Sequence, residues 1–201
     1  MTTRMKSRER RAAIVQAAIH VFAEKGFRGA TTRDLAAALG VTEPVLYQHF
    51  ETKNDLYSAI IETKSQQGQQ QGAELLSLQE SGDDRTFFRF VGNLLLERYE
   101  EDPDFMRLLL FSALERHELA DLFFERQVQG FFTVVAGYIQ RRIEAGAFRA
   151  MDPQTAARGF TGMLSYHGLV RLLFGNRIAQ RDRAEVVDEM VESFLRGVSL
   201  P

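Results

Sequence analysis

Helix breakers are scarce in this chain, and they fall where helices would end. Four prolines and fifteen glycines among 201 residues leave long stretches without interruption. No alternating, β-branched run bounded by turn residues occurs, which is the pattern a strand requires. Ile14, Ala18, Val21 and Phe22 instead recur at i, i+4, i+7 and i+8, one face of an amphipathic helix. The expected fold is therefore all-α, with about nine helices. Gly26 is expected to close the first helix and Phe27 to fold back as its apolar contact. Thr31 and Asp34 form a capping-box pair ahead of a second helix that runs to about Leu39. Thr42 then caps a short third helix with Glu43 and Pro44 in its first turn. A longer helix from about Lys53 passes into the glutamine-rich stretch 65–72. Further helices are expected at about 84–101, 104–115, 118–145, 153–174 and 182–197, separated by Asp102-Pro103, Gly146 and Asp152-Pro153.

Composition narrows the function classes. Cysteine is absent, which removes disulfide scaffolds, thiolate metal sites and a cysteine nucleophile together. No apolar run approaches the roughly 18 residues that span a bilayer. The basic start, Arg4 to Arg11, is followed by no apolar signal-peptide core, so a cytoplasmic protein is expected. The net charge of −2 is unevenly distributed. Residues 1–56 carry nine Lys/Arg against six Asp/Glu, and 57–201 carry sixteen against twenty-one. A basic end on an acidic body suggests a polyanion partner for that end alone; a solubilising tail fits the charge equally well.

Three short helices in the first 50 residues, with Leu39-Gly40-Val41-Thr42 joining the second and third, have the form of a helix-turn-helix. That motif lays its second helix in the major groove. The candidate recognition helix spans 42–50. Val45, Leu46 and Phe50 suit its inner face, whereas Thr42, Glu43, Pro44, Tyr47, Gln48 and His49 face outward, a set suited to phosphate and base contacts.

Here a family resemblance becomes specific. Thr31-Thr32-Arg33-Asp34-Leu35-Ala36, then Gly40-Val41-Thr42, then Leu46-Tyr47-Gln48-His49-Phe50, then Lys53 with Leu56, resembles the DNA-binding domain of the TetR family of bacterial regulators. The match covers about residues 8–57. The resemblance implies a DNA-binding domain over 1–56 and an effector-binding and dimerisation domain over 57–201. It implies that Tyr47 and His49 contact phosphates or sugars and that Lys53, at a helix start, binds a phosphate. Thr32 and Arg33 would hold the backbone, and Thr42, Glu43, Pro44, Val45 and Gln48 would meet the bases. Glu43 departs from the small or basic residue common at its place. It either accepts from a cytosine amine or only complements the helix dipole. Arg4, Lys6 and Arg8 form either an additional DNA-contacting arm or a disordered tail.

Beyond residue 58 only patterning remains. Thirteen of the sixteen phenylalanines lie between Phe87 and Phe194. Aromatics at helical spacing are usually core, but these are numerous for a small bundle. By resemblance, the middle helices enclose an apolar effector pocket. Its expected lining is Phe90, Phe105, Phe111 and Phe131, with Tyr99, Arg107, Tyr138 and His167 as polar groups, and its expected ligand is a small hydrophobic molecule. The stripe Val187, Met190, Val191 and Phe194, together with Phe160 and Met163, either packs inward or, by resemblance, pairs with its symmetry mate in a homodimer.

No dinucleotide or nucleotide phosphate loop, nucleophile elbow or zinc-protease helix motif occurs, and the four histidines lack partners at metal-ligand spacing. Neither catalytic residue, cofactor nor metal is expected. The expected function is a transcriptional regulator, a repressor released from a pseudo-palindromic operator by its effector. The competing readings are a helical ligand-binding protein that no longer binds DNA and a cryptic enzyme acting in the apolar pocket.

Overall fold

The computed structural model describes residues 7–177 and 181–200. Among these the chain is helical, apart from an isolated antiparallel bridge between Phe148 and Ser199. The helices are α1 (Ser7–Gly29), α2 (Thr32–Ala38), α3 (Glu43–Tyr47), α4 (Lys53–Leu78), α5 (Asp84–Glu101), α6 (Pro103–Leu114), α7 (Glu118–Phe123), α8 (Gln129–Glu144), α9 (Pro153–Phe174) and α10 (Arg183–Val198). The expected all-α class holds. The stretch expected as one helix over 118–145 is divided, because a π-helical turn at Phe124–Val128 separates α7 from α8. No glycine or proline occurs between residues 118 and 129, so no helix breaker in the sequence marks the division.

Helix ends follow local chemistry. Thr31 and Asp34 complete the capping box: the threonine hydroxyl accepts from the Asp34 amide at 3.1 Å, and the Asp34 carboxylate accepts from the Thr31 amide at 2.9 Å. Asp83, Asp152 and Asp182 cap α5, α9 and α10 through one side chain each, accepting from the amides of Thr86, Thr155 and Ala184. Gly26 breaks α1 with φ 69° and ψ 172°, a backbone that side-chain-bearing residues rarely adopt. Its carbonyl still accepts from the Ala30 amide at 3.2 Å, so a single turn follows the break.

The chain divides into two compact units. Unit 1 contains residues 1–67 and 104–124, and unit 2 contains 68–103 and 125–201. Unit 1 closes on Ile14, Ala18, Phe22, Leu35, Leu46, Phe50, Leu56, Tyr57 and Ile60, joined by Phe105 and Leu108 from α6. The Tyr57 hydroxyl is bonded to Ser112, tying α4 to α6 inside that core. Burial raises the Tyr57 pKa, aided by the Glu115 carboxylate, so the phenol remains a neutral donor.

Unit 2 packs α5 against α9 and α10, and α8 against α9. Its centre is aromatic. Tyr138 stacks on Phe87 at 3.8 Å between ring centroids, and Phe88 meets Phe160 at 4.8 Å and Phe194 at 4.9 Å. Many of the phenylalanines therefore form core, the ordinary use of aromatics at helical spacing. Two glycines permit close approach. A methyl group on Gly92 would meet Val187 Cγ1 at 2.8 Å, and one on Gly168 would enter the ring of Tyr99.

Candidate nucleic-acid interface

The three N-terminal helices owe their mutual placement to a few anchors. Leu46 and Phe50 are buried at 3% and 4% exposure and seat α3 on the unit 1 core. The tight turn at Gly40 has φ 63°, and the Val41 amide donates to Ala36 at 3.0 Å, which closes the α2–α3 corner. With the inner face so committed, Thr42, Pro44, Tyr47 and Gln48 are exposed, and Val45 and His49 are half-buried. Tyr47 in particular keeps 47% of its surface free.

On α2, Arg33 is exposed while Thr32 is half-buried. The Thr32 hydroxyl donates to Glu43 Oε2 at 2.6 Å. That hydrogen bond links the first turns of α2 and α3 and engages one of the two carboxylate oxygens of Glu43. Glu43 also sits in the first turn of α3, where its charge complements the helix dipole. The N-cap Thr42 makes no side-chain cap bond, so its hydroxyl is not engaged with the helix it begins.

Lys53 opens α4, as expected, but its ammonium is turned onto the α1–α2 connection. It donates to the carbonyls of Phe27 at 2.5 Å and Ala30 at 2.9 Å and lies 4.2 Å from the centre of the Phe27 ring. Burial lowers its pKa, and the charge of Glu115 opposes that shift. Lys25 bridges to Asp34 at 2.6 Å. This bond and the two from Thr31 hold the Asp34 carboxyl well below the usual carboxylate range. Arg11 covers the ring of Phe50 at 4.4 Å. These contacts were not legible beforehand, because they join residues distant in sequence. Arg4 and Lys6 lie outside the described residues; Arg8 stands in α1.

The expected effector residues are distributed over both units. In unit 1, Phe105 is core and packs edge-on to Phe123 at 5.6 Å, Arg107 is exposed beside Asp104, and Phe111 is 37% exposed. In unit 2, Tyr138 is fully buried and donates to Asp84 Oδ1 at 2.7 Å, a bond Arg142 reinforces by a forked pair to the same carboxylate. Phe90 and Phe131 are half-buried against the unit 2 core. Tyr99 lies against Gly168 and hydrogen-bonds to Ser165. His167 is half-buried with its Nε2 free of any hydrogen bond; burial, then Arg171, pull its pKa down, keeping the ring neutral. Among the described residues no group of three or more His, Asp or Glu is placed to hold a metal ion, and no helix is long and apolar enough to cross a membrane.

The expected dimer residues separate by burial. Phe160, Val187 and Val191 are interior to unit 2, Met190 and Phe194 are half-buried, and Met163 is 37% exposed. The sequence reading passed over Tyr166, Leu173 and Phe174, which leave 70%, 55% and 53% of their surface uncovered on α9. Their signal was present in the spacing 159, 162, 163, 166, 173, a second stripe on a helix whose other side is already apolar.

The comparisons with known proteins agree with this architecture. The family described as bacterial regulatory proteins, tetR family, matches residues 14–60, and that of the AefR-like transcriptional repressor C-terminal domain matches 99–197. An uncharacterised HTH-type transcriptional regulator of Bacillus subtilis, YvkB, is 23% identical over 92% of this chain and 95% of its own. The nucleoid occlusion factor SlmA of Marinobacter nauticus is 30% identical over 75% of each chain. Among solved structures, AibR in complex with isovaleryl coenzyme A and operator DNA superposes with a TM-score of 0.71 at 19% identity, over 92% of this chain and 97% of that one. The helix-turn-helix and the helical body after it are thus matched by successive family signatures that together extend over most of its length, and the chain belongs to the TetR family of bacterial transcriptional regulators.

Proposed function

We propose that this protein is a repressor that binds a pseudo-palindromic operator as a homodimer and leaves it when a small hydrophobic effector binds. The observation that carries the reading is α3, a short helix whose inner face is locked by Leu46 and Phe50 and whose outer face offers Thr42, Pro44, Tyr47 and Gln48 to a groove. In this reading residues 1–56 carry the DNA contacts, with Arg33, Tyr47 and His49 on the phosphate backbone and Thr42, Pro44, Val45 and Gln48 at the bases. Thr32 and Glu43 act there as a pair. Lys53 contributes its charge from the start of α4, where the helix N-terminus also favours a phosphate.

Residues 57–201 carry effector binding and dimerisation. The likeness in fold to AibR, whose structure holds both an acyl coenzyme A and operator DNA, supports a ligand-responsive regulator. The exposed α9 residues Met163, Tyr166, Leu173 and Phe174 supply an apolar surface for a symmetry mate. An effector releases DNA only to the extent that it binds the DNA-incompetent state more tightly. The test is fluorescence anisotropy on duplexes selected by the full-length protein from a random-sequence pool. Tyr47→Phe should weaken binding about equally on all selected duplexes, and Gln48→Ala should change which base is preferred at one position. A Tyr47→Phe variant with altered base preference, or a pool from which nothing is enriched, would overturn the assignment.

A further inference from the structure

Phe50 closes the segment that carries α3, and its ring is buried at 4% exposure. A charge lies over that ring. Arg11, from the second turn of α1, sets its guanidinium carbon 4.4 Å from the ring centre while the residue itself stays exposed. A cation held on the face of an aromatic ring is drawn by the π cloud, and this contact engages none of its N–H donors in a hydrogen bond. Among the described residues Arg11 makes no hydrogen bond and no ion pair. Many arginines of unit 2 are matched instead. Arg85 meets Glu192, Arg89 is forked onto Asp188 at 2.6 and 2.7 Å, Arg142 onto Asp84, and Arg171 and Arg183 share Glu100. Arg11 is thus a positioned guanidinium whose donors no group of the fold takes up.

Its place gives those donors a use. Phe50 follows His49 directly and comes three residues after Tyr47, the two side chains assigned above to the phosphate backbone. Arg11 therefore stands at the end of α3, beside that pair and apart from the residues assigned to the bases. Lys53, expected to bring a cation just after this segment, has its ammonium turned onto the carbonyls of Phe27 and Ala30. The ring of Phe50 also limits the motion of the Arg11 head, so less side-chain freedom is lost when an oxyanion arrives. The plainer role for Arg11 is to shield Phe50 from water, a common use of long cationic side chains. The two roles differ in their dependence on salt.

We infer that Arg11 is a phosphate ligand of the DNA-binding surface, held by the ring of Phe50 and forked onto a backbone phosphate next to those met by Tyr47 and His49. The inference rests on the DNA-binding reading above and adds to it a residue of α1, outside the helix-turn-helix. A guanidinium matches two oxygens of one phosphate, a contact that fixes register without reading sequence.

The test uses full-length protein and duplexes selected from a random-sequence pool. Anisotropy is measured over a series of salt concentrations for wild type, Arg11→Met, Arg11→Lys and Arg196→Met. Arg196, exposed on α10, controls for the change in net charge. Each phosphate neutralised by a cation releases counterions, so in Arg11→Met the slope of log K against log salt should shrink by about 0.9 per protomer, about 1.8 for a dimer. Affinity at ~0.1 M salt should fall about tenfold or more, alike on every selected duplex. Arg11→Lys should keep the slope with weaker binding, and Arg196→Met should match wild type. Methionine keeps an apolar cover over Phe50, so Arg11→Met should melt near wild type. Should it melt clearly lower, Arg11→Lys decides: a retained slope supports the contact and a lost one overturns it. An unchanged slope in Arg11→Met, an equal loss in Arg196→Met or an altered base preference would overturn the role of Arg11 while leaving the DNA-binding reading in place. A wild type that binds no duplex would reject that reading, and this inference with it.

Discussion

Asp34 shows how much one side chain can organise. It completes the cap of α2, accepts from the Thr31 hydroxyl at 2.7 Å and anchors Lys25. These bonds hold its folded pKa below that of the unfolded chain, chiefly through Lys25 and then Thr31. Their stabilisation is therefore fully present above the ordinary carboxylate pKa of about 4 and is lost progressively below it, as pH falls through the depressed folded value. Wild type should melt above Asp34→Asn near neutral pH, and the gap should close towards acid; melting curves between neutral pH and the acid limb check this. The Thr32–Glu43 bond makes a second prediction. Thr32→Val and Glu43→Ala should each weaken DNA binding, and the double variant should cost less than the two losses combined. Anisotropy on one selected duplex measures that coupling. If Glu43→Ala alone shifts base preference and Thr32→Val has no effect, Glu43 reads a base instead.

Among the helices, α9 carries two kinds of glycine. Gly168 faces inward, where an added methyl enters the Tyr99 ring; Gly159 and Gly162 face open space. Gly168→Ala should destabilise the protein by about 1–3 kcal/mol, the usual cost of overpacking, read from urea unfolding. Gly162→Ala should be neutral or stabilising by up to about 1 kcal/mol, through helix propensity alone, unless its face is covered by a partner. Helix boundaries were legible in advance because caps and prolines act locally: Thr31, Asp83, Asp152 and Asp182 each sit where their side chains accept from a helix's first turn. The division of the 118–145 stretch was not legible. No glycine or proline marks the turn at Phe124–Val128, so the breakers that show the other boundaries are missing there.

For the protein as a whole, the proposed dimer requires an apolar surface, and α9 leaves Met163, Tyr166, Leu173 and Phe174 available. Sedimentation at micromolar concentration should give about 46 kDa, twice the 22.9 kDa chain. Tyr166→Glu should shift the protein towards the single-chain mass and weaken operator binding along with it, because two linked recognition helices bind one pseudo-palindrome far better than one does. Retained operator affinity in a monomeric variant would reject the pairing. The positive end of the chain, nine basic against six acidic residues before Tyr57, also predicts steep loss of DNA affinity with salt.

Helicity, the helix-turn-helix and the helix ends marked by caps or breakers were readable along the chain, because capping, proline geometry and 3.6-residue periodicity act between neighbours. The exposed side of α3 followed from the same periodicity. Which of two apolar stripes turns inward is a different matter, since an apolar helix face takes whichever partner the packing offers. In the sequence Val187 and Val191 are open between the interior and a partner, and they are interior to unit 2, whereas Tyr166 and Leu173 drew no notice and are exposed. Pairings across the chain have the same character. That Glu43 meets Thr32 and that Lys53 meets two carbonyls depends on which distant residues the fold brings within about 3 Å, the reach of a hydrogen bond. Local chemistry has no access to that information until the helices are packed.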